Sequence, residues 1–130
     1  MDQAKHYEDK LKFEIDSWDL NVALQAGERV IVVDARAPEA FARGHIPGAV
    51  NIPHRMMTAE TTGHLDRNAL VVTYCDGIGC NGSTKGALNM VRLGFNVKEL
   101  IGGLEWWQRD GYSVHAGQTP DDRAVSCGCG

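Results

Sequence analysis

Two β-branched runs, "RVIVVDAR" (Arg29 to Arg36) and "ALVVTYC" (Ala69 to Cys75), constrain this chain more than any other feature. Neither alternates apolar with polar residues, so neither has a face to offer to water. Such continuous runs mark strands buried on both sides. Strands of that kind belong to parallel sheets, whose crossovers lay helices over both faces. Ser17 is a candidate N-cap for a helix that carries Trp18, Val22 and Ala23 on one side and stops at Gly27. Pro38 opens a short helix through Phe41; Thr84, Ala87, Leu88 and Val91 form an apolar stripe ending at Gly94; Leu104 to Gly111 gives a last short helix. Shorter strands are expected at Phe13 to Ile15, within "GHIPGAVNIP" (Gly44 to Pro53) and at "VKELIGG" (Val97 to Gly103), with a short helix and loop between Arg55 and Asp66. Met56, Met57 and Met90 are read as packing, and Trp106 and Trp107 as divided between the core and a crevice rim.

With 130 residues, no internal repeat and no linker through the middle, the chain is expected to form one domain over residues 13–116, after an N-terminal extension (1–12) and before a glycine-rich tail (117–130). A net charge of −4 supplies no basic field, which argues against a nucleic-acid partner. The charged N-terminus has no secretory pattern and no apolar run approaches the roughly 20 residues of a membrane span, so a cytoplasmic location without membrane contact is expected. Thiols are mostly reduced there. The four cysteines (Cys75, Cys80, Cys127, Cys129) sit as one pair in a tight loop and one pair in the tail, a placement that suits redox or sulfur chemistry better than a disulfide framework.

In open α/β sheets the functional crevice lies beyond the carboxyl ends of the strands. Cys75 stands at such an end, followed by Asp76, Gly77, Ile78, Gly79, Cys80, Asn81, Gly82 and Ser83, where a helix begins. Free N–H groups and the positive end of that helix favour an anion in the loop. The three glycines permit positive φ, so that successive amides can turn inward as an anion-binding nest. A free thiol with a pKa of about 8.5 is about 3% ionised at neutral pH; lowering it by about two units takes about 2.7 kcal/mol of stabilisation, within reach of several charge-assisted N–H bonds. Cys75 is therefore the candidate nucleophile. The plain alternative is a small buried hydrophobe at a strand end.

The order and spacing of "VVDARAPEAFARGHIPGAVNIP" (Val32 to Pro53), "VVTYC" and "LGFNVKELIGGLEWWQRDGYSV" (Leu93 to Val114) resemble the rhodanese-like sulfurtransferase superfamily over roughly Phe13 to Ala116. The resemblance implies a five-stranded parallel α/β domain with helices on both faces, and transfer of sulfane sulfur through a persulfide on Cys75. It also implies a small-molecule sulfur donor, a thiol, cyanide or protein acceptor, and no cofactor. Many members of that superfamily carry an arginine five or six residues after the cysteine, where this chain has Cys80 and Asn81. Without that bidentate donor, phosphatase chemistry is disfavoured and weak activity with thiosulfate is expected.

Lys85 either supplies part of the missing charge or is an ordinary solvated lysine. Cys80 is either a resolving thiol for Cys75 or a loop residue that never meets it, and a persulfide carrier or redox module using both is the competing function. Asp34 and Arg36 are expected to brace the crevice, by the resemblance, or to form structural ion pairs, Arg36 with Glu39. His45 either hydrogen-bonds a turn or donates a proton near the site. Cys127 and Cys129 are read as tail residues rather than zinc ligands.

Overall fold

A computed structural model describes residues 2–117. The elements run α1 (Gln3–Phe13), β1 (Glu14–Ile15), α2 (Ser17–Gln25), β2 (Val30–Asp34), α3 (Pro38–Arg43), β3 (Val50–Asn51), a 3-10 turn (His54–Met56), β4 (Leu70–Tyr74), α4 (Gly82–Arg92), β5 (Asn96–Leu100) and α5 (Gly103–Arg109). The five strands form one sheet in the order β1-β5-β4-β2-β3, every pairing parallel. The two β-branched runs are β2 and β4, neighbours at the centre, in register from Val30 with Leu70 to Asp34 with Tyr74.

Alternation along these strands sends side chains to two cores. Val32, Val72 and Tyr74 pack with Leu20 of α2 and with Leu104 and Trp107 of α5. Val33 and Val71 pack on the opposite face with Met57, Met90 of α4 and Phe95. Helices therefore cover both faces, which is why neither central strand needs a polar side.

Three expectations about helix faces and caps are corrected. In α2 the buried residues are Ser17, Leu20 and Ala23, while Trp18 and Val22 are exposed; Asp16 rather than Ser17 is the N-cap, accepting from the Asp19 N–H at 2.8 Å. In α4 the buried face is Gly82, Ser83, Gly86 and Met90, and Leu88 and Val91 point outward. The reason is close approach: a Cβ built on Gly86 lies 3.2 Å from Ala35 Cβ, so α4 turns its smallest residues to the sheet. Met56 is likewise exposed, whereas Met57 and Met90 do pack in the core. At the N-terminus Phe13 ends α1 instead of starting a strand. That helix is capped by Asp2, buries none of its residues and runs into the two-residue β1.

Candidate active site

The site is assembled where β4 ends. Tyr74 is the last strand residue, Cys75 follows it, buried with 4% of its surface exposed, and the loop to α4 runs through Gly77, Ile78 and Gly79 to Cys80. Cys75 and Cys80 are joined by a disulfide, their Cα atoms 6.3 Å apart, which decides between the two readings of Cys80: the thiols meet. Gly82, the first residue of α4, donates its N–H to Cys80 Sγ at 3.4 Å, so a free amide at this helix start is aimed at the sulfur pair.

The glycines serve a different purpose from the one expected. None of Gly77, Gly79 and Gly82 has positive φ. Two of them are needed for space: a Cβ on Gly82 would stand 3.0 Å from Cys75 Sγ and 3.5 Å from Cys80 Sγ, and a Cβ on Gly77 would stand 2.7 Å from Glu105 Oε1. The left-handed glycines lie instead at the end of β5, where Gly102 and Gly103 have φ of 81° and 60°. That turn brings α5 under the loop. The Leu104 N–H donates to the Cys75 carbonyl at 2.9 Å and the Glu105 N–H to the Asp76 carbonyl at 2.8 Å. The strand expected over Val97 to Gly103 ends at Leu100, and Gly103 opens α5. Two adjacent glycines directly before a helical segment were the available signal for this clamp.

Arg36 is the second brace, and its partner is not Glu39. Its Nε donates to both Asp34 carboxylate oxygens at 2.9 and 3.1 Å, and its Nη2 donates to Asp34 Oδ2 and the Gly44 carbonyl, each at 2.6 Å. Its Nη1 reaches Asp76 Oδ1 at 2.9 Å, tying the end of β2 to the residue after Cys75. Burial alone would lower the Arg36 pKa, but the hydrogen bonds and charge of Asp34, then Asp76, outweigh it and hold the group above its ordinary value. His45 hydrogen-bonds a turn: Nδ1 lies 2.8 Å from the Phe41 carbonyl and the ring stacks on Phe41.

Beside the loop opens a cleft of about 580 Å³, walled by Gly77 to Asn81 on one side and by Glu99 and Ile101 on the other. Two carboxylates line it, Glu99 and Glu14, the latter paired with Lys10 at 2.8 Å, and among the described residues no lysine or arginine lines it directly. Glu99 Oε2 accepts from the Ser83 and Thr84 hydroxyls at 2.7 and 2.6 Å, fixing the start of α4. Lys85 is exposed and lies away from the cleft, on the side of His54; burial first, then the charges of Lys85 and Arg55, lower the His54 pKa. Of Trp106 and Trp107, Trp107 is buried and Trp106 is exposed, lining with Ile78 and Ile101 a second hollow next to the cleft. Among the described residues no group of three or more His, Cys, Asp or Glu side chains is placed to hold a metal ion. Cys127 and Cys129 lie outside the described residues.

An open parallel sheet covered by helices on both faces, with two cysteines where its central strand meets a helix N-terminus, defines the class as a parallel α/β domain. The model of the rhodanese-like domain matches residues 18–110, and the chain belongs to that family. It is similar to the thiosulfate sulfurtransferase GlpE of Pseudomonas entomophila, with 37% identity over 79% of this chain and 88% of that protein. A sulfurtransferase of Allochromatium vinosum is 32% identical over 79% of this chain and 94% of its own. The solved structure of the BH2092 protein from Bacillus halodurans superposes with a TM-score of 0.84 and 43% identity, covering 88% of this chain and 84% of that one. No helix among the described residues is long and apolar enough to cross a membrane.

Proposed function

We propose that this chain is a sulfurtransferase that works through a persulfide on Cys75. With the loop pair reduced, the Cys75 thiolate attacks the sulfane sulfur of a small-molecule donor. A new S–S bond forms, and the donor's leaving group departs with the electron pair of the bond that breaks. A thiol, cyanide or a protein nucleophile then takes the outer sulfur. The observation that carries this reading is Cys75 itself, held at the carboxyl end of β4 beside the start of α4 in a domain whose relatives bear the name sulfurtransferase. The main-chain N–H groups from Asp76 to Ser83 are the proposed anion holders, apart from that of Cys80, which donates to the Gly77 carbonyl, and the Gly82 N–H is already directed at Cys80 Sγ. No cofactor is required, and a cytoplasmic, reducing compartment would keep the pair in its working form.

The cleft also bears on the donor. Glu99, with no cation lining the cleft among the described residues and with Glu14 already paired to Lys10, makes it a poor host for a dianion, so thiosulfate is expected to be a weak donor, and monoanionic or neutral sulfane donors better ones. The test is direct: reduced protein given a sulfane donor gains one sulfur atom in intact mass and transfers it to cyanide as thiocyanate. Cys75→Ser should abolish both. Undiminished thiocyanate production by that variant ends the proposal.

A second reading, a non-catalytic carrier or redox-sensing module that cycles between dithiol and disulfide, is favoured by the Cys75–Cys80 bond. It predicts loss of two hydrogens on mild oxidation, dependent on Cys80, with no turnover of any sulfane donor.

A further inference from the structure

We propose that Cys80 is a resolving nucleophile that discharges the Cys75 persulfide as sulfide, making the domain a dithiol-dependent sulfide-releasing enzyme. The inference rests on the persulfide reading above and adds to it the fate of the sulfur when no outside acceptor intervenes.

Three observations carry it. Cys80 Sγ bonds to Cys75 Sγ with the loop closed and its turn intact, the Cys80 N–H donating to the Gly77 carbonyl at 3.2 Å. No rearrangement of the surrounding elements is needed for the second thiol to reach the inner sulfur of a persulfide. Next, the Gly82 N–H is directed at Cys80 Sγ, and α4 is an 11-residue helix whose positive end lies there; both favour the thiolate form of the attacking group. Finally, Gly82 leaves the space between helix and sulfurs empty of a side chain, with its would-be Cβ within 3.0 and 3.5 Å of the two Sγ atoms. A thiol five residues away on a short tether meets its target at an effective concentration no free thiol matches.

The step balances. The Cys80 thiolate attacks Cys75 Sγ, and the bond from Cys75 Sγ to the outer sulfur breaks. That sulfur leaves as hydrosulfide with the electron pair, taking a proton to become hydrogen sulfide. The sulfane sulfur is reduced to sulfide while the two cysteine sulfurs are oxidised to the disulfide seen in the structure. Hydrosulfide is a more acidic leaving group than an alkyl thiol, so it departs readily. An external dithiol reductant, such as a reduced C-x-x-C protein, then opens the disulfide by exchange, becoming oxidised itself and returning both thiols. Cys80, half-buried and lining the cleft, is the sulfur that this reductant would meet first.

The test uses the full chain with Cys127→Ser and Cys129→Ser, so that only the loop thiols remain. The chain is reduced, freed of reductant without air, and given one equivalent of benzenethiosulfonate, a monoanionic sulfane donor. Expected are one sulfide per chain and an intact mass two hydrogens below the reduced form. Cys80→Ser and Cys80→Ala should instead keep the added sulfur on Cys75 and release sulfide roughly tenfold or more slowly. Two variants guard against one misfolding, with far-UV dichroism as the check. Retention of the added sulfur by the parent chain, or its recovery on Cys80, overturns the resolving role while leaving the persulfide reading intact. Failure of both Cys80 variants to gain sulfur on Cys75 overturns the persulfide reading and this proposal with it.

Discussion

Arg36→Met removes the guanidinium that joins the end of β2 to the Cys75 loop, and its cost can be worked from the contacts. The Asp76 arm is worth little: that carboxylate is 70% exposed, and exposed pairs contribute about 0 to 1 kcal/mol. The Asp34 arm is different. Asp34 is fully buried and accepts from Nε and Nη2 of an arginine that is itself 6% exposed. Deleting the cation leaves a buried carboxylate whose remaining Arg36 contact is the backbone N–H at 2.9 Å, together with a Gly44 carbonyl stripped of its donor. Breaking such a pair from one side costs about 3 to 5 kcal/mol, against a total stability of about 5 to 15 kcal/mol for a domain. The melting temperature should fall by roughly 10 to 20 °C.

Urea unfolding with the loop disulfide intact, followed by the fluorescence of buried Trp107, gives the free energy directly. Arg36→Lys should recover little, because a point charge cannot bridge Asp34, Gly44 and Asp76 at once. Combining Arg36→Met with Asp34→Asn should cost less than Arg36→Met alone, since no unpaired charge is left. A loss below about 1 kcal/mol for Arg36→Met, with an unchanged denaturant slope, would refute the view that this pair anchors the crevice.

Gly82→Ala closes the gap beside the sulfurs: the new Cβ would stand 3.0 Å from Cys75 Sγ at the buried start of α4, so urea unfolding should show a loss of about 1 to 3 kcal/mol. Single-turnover loading of sulfur onto Cys75 should slow roughly tenfold or more; equal loading rates would show that the gap at Gly82 does not matter. Tyr74 governs the alkaline limit. Burial, then the charge and hydrogen bond of Asp34, raise its pKa far above the usual value of about 10, so the folded phenol stays protonated where the unfolded one ionises. Its stabilisation is complete below pH of about 10 and is lost above it at up to about 1.4 kcal/mol per pH unit, a slope that Tyr74→Phe should flatten in urea titrations between neutral and alkaline pH. The same variant strands the Ile46 N–H that donates to the Tyr74 hydroxyl at 3.1 Å, so it should lose about 1 to 3 kcal/mol at neutral pH. Glu99→Gln keeps an acceptor for Ser83 and Thr84 but removes a negative charge from the cleft, so kcat/KM should rise several-fold more for thiosulfate than for a monoanionic donor; an unchanged ratio of the two would place the donor elsewhere.

How far the sequence discloses this molecule depends on whether a feature is set by local chemistry or by what arrives from elsewhere in the chain. β2 and β4 are legible because a run such as Val71–Val72–Thr73 has no face to leave in water; their parallel pairing and burial on two sides then follow, whereas the order β1-β5-β4-β2-β3 does not. The face of α4 is not legible in that way. Its apolar side chains, Leu88 and Val91, form a stripe by spacing, but the sheet selects the side carrying Gly82 and Gly86, because a helix without Cβ atoms there can approach Ala35 and both sulfurs. Arg36 is legible in part: its main partner, Asp34, lies two residues away, whereas Asp76, 40 residues away, is brought beside it only when β4 pairs with β2. The glycines show the two logics together. In the loop they permit contact rather than unusual φ, and the left-handed pair whose turn presents the Leu104 N–H to the Cys75 carbonyl sits at the end of β5, where only the neighbouring strand could reveal its use. A thiol at a strand end can thus be found from sequence, but whether it meets a second thiol is decided by how closely the following helix is allowed to come.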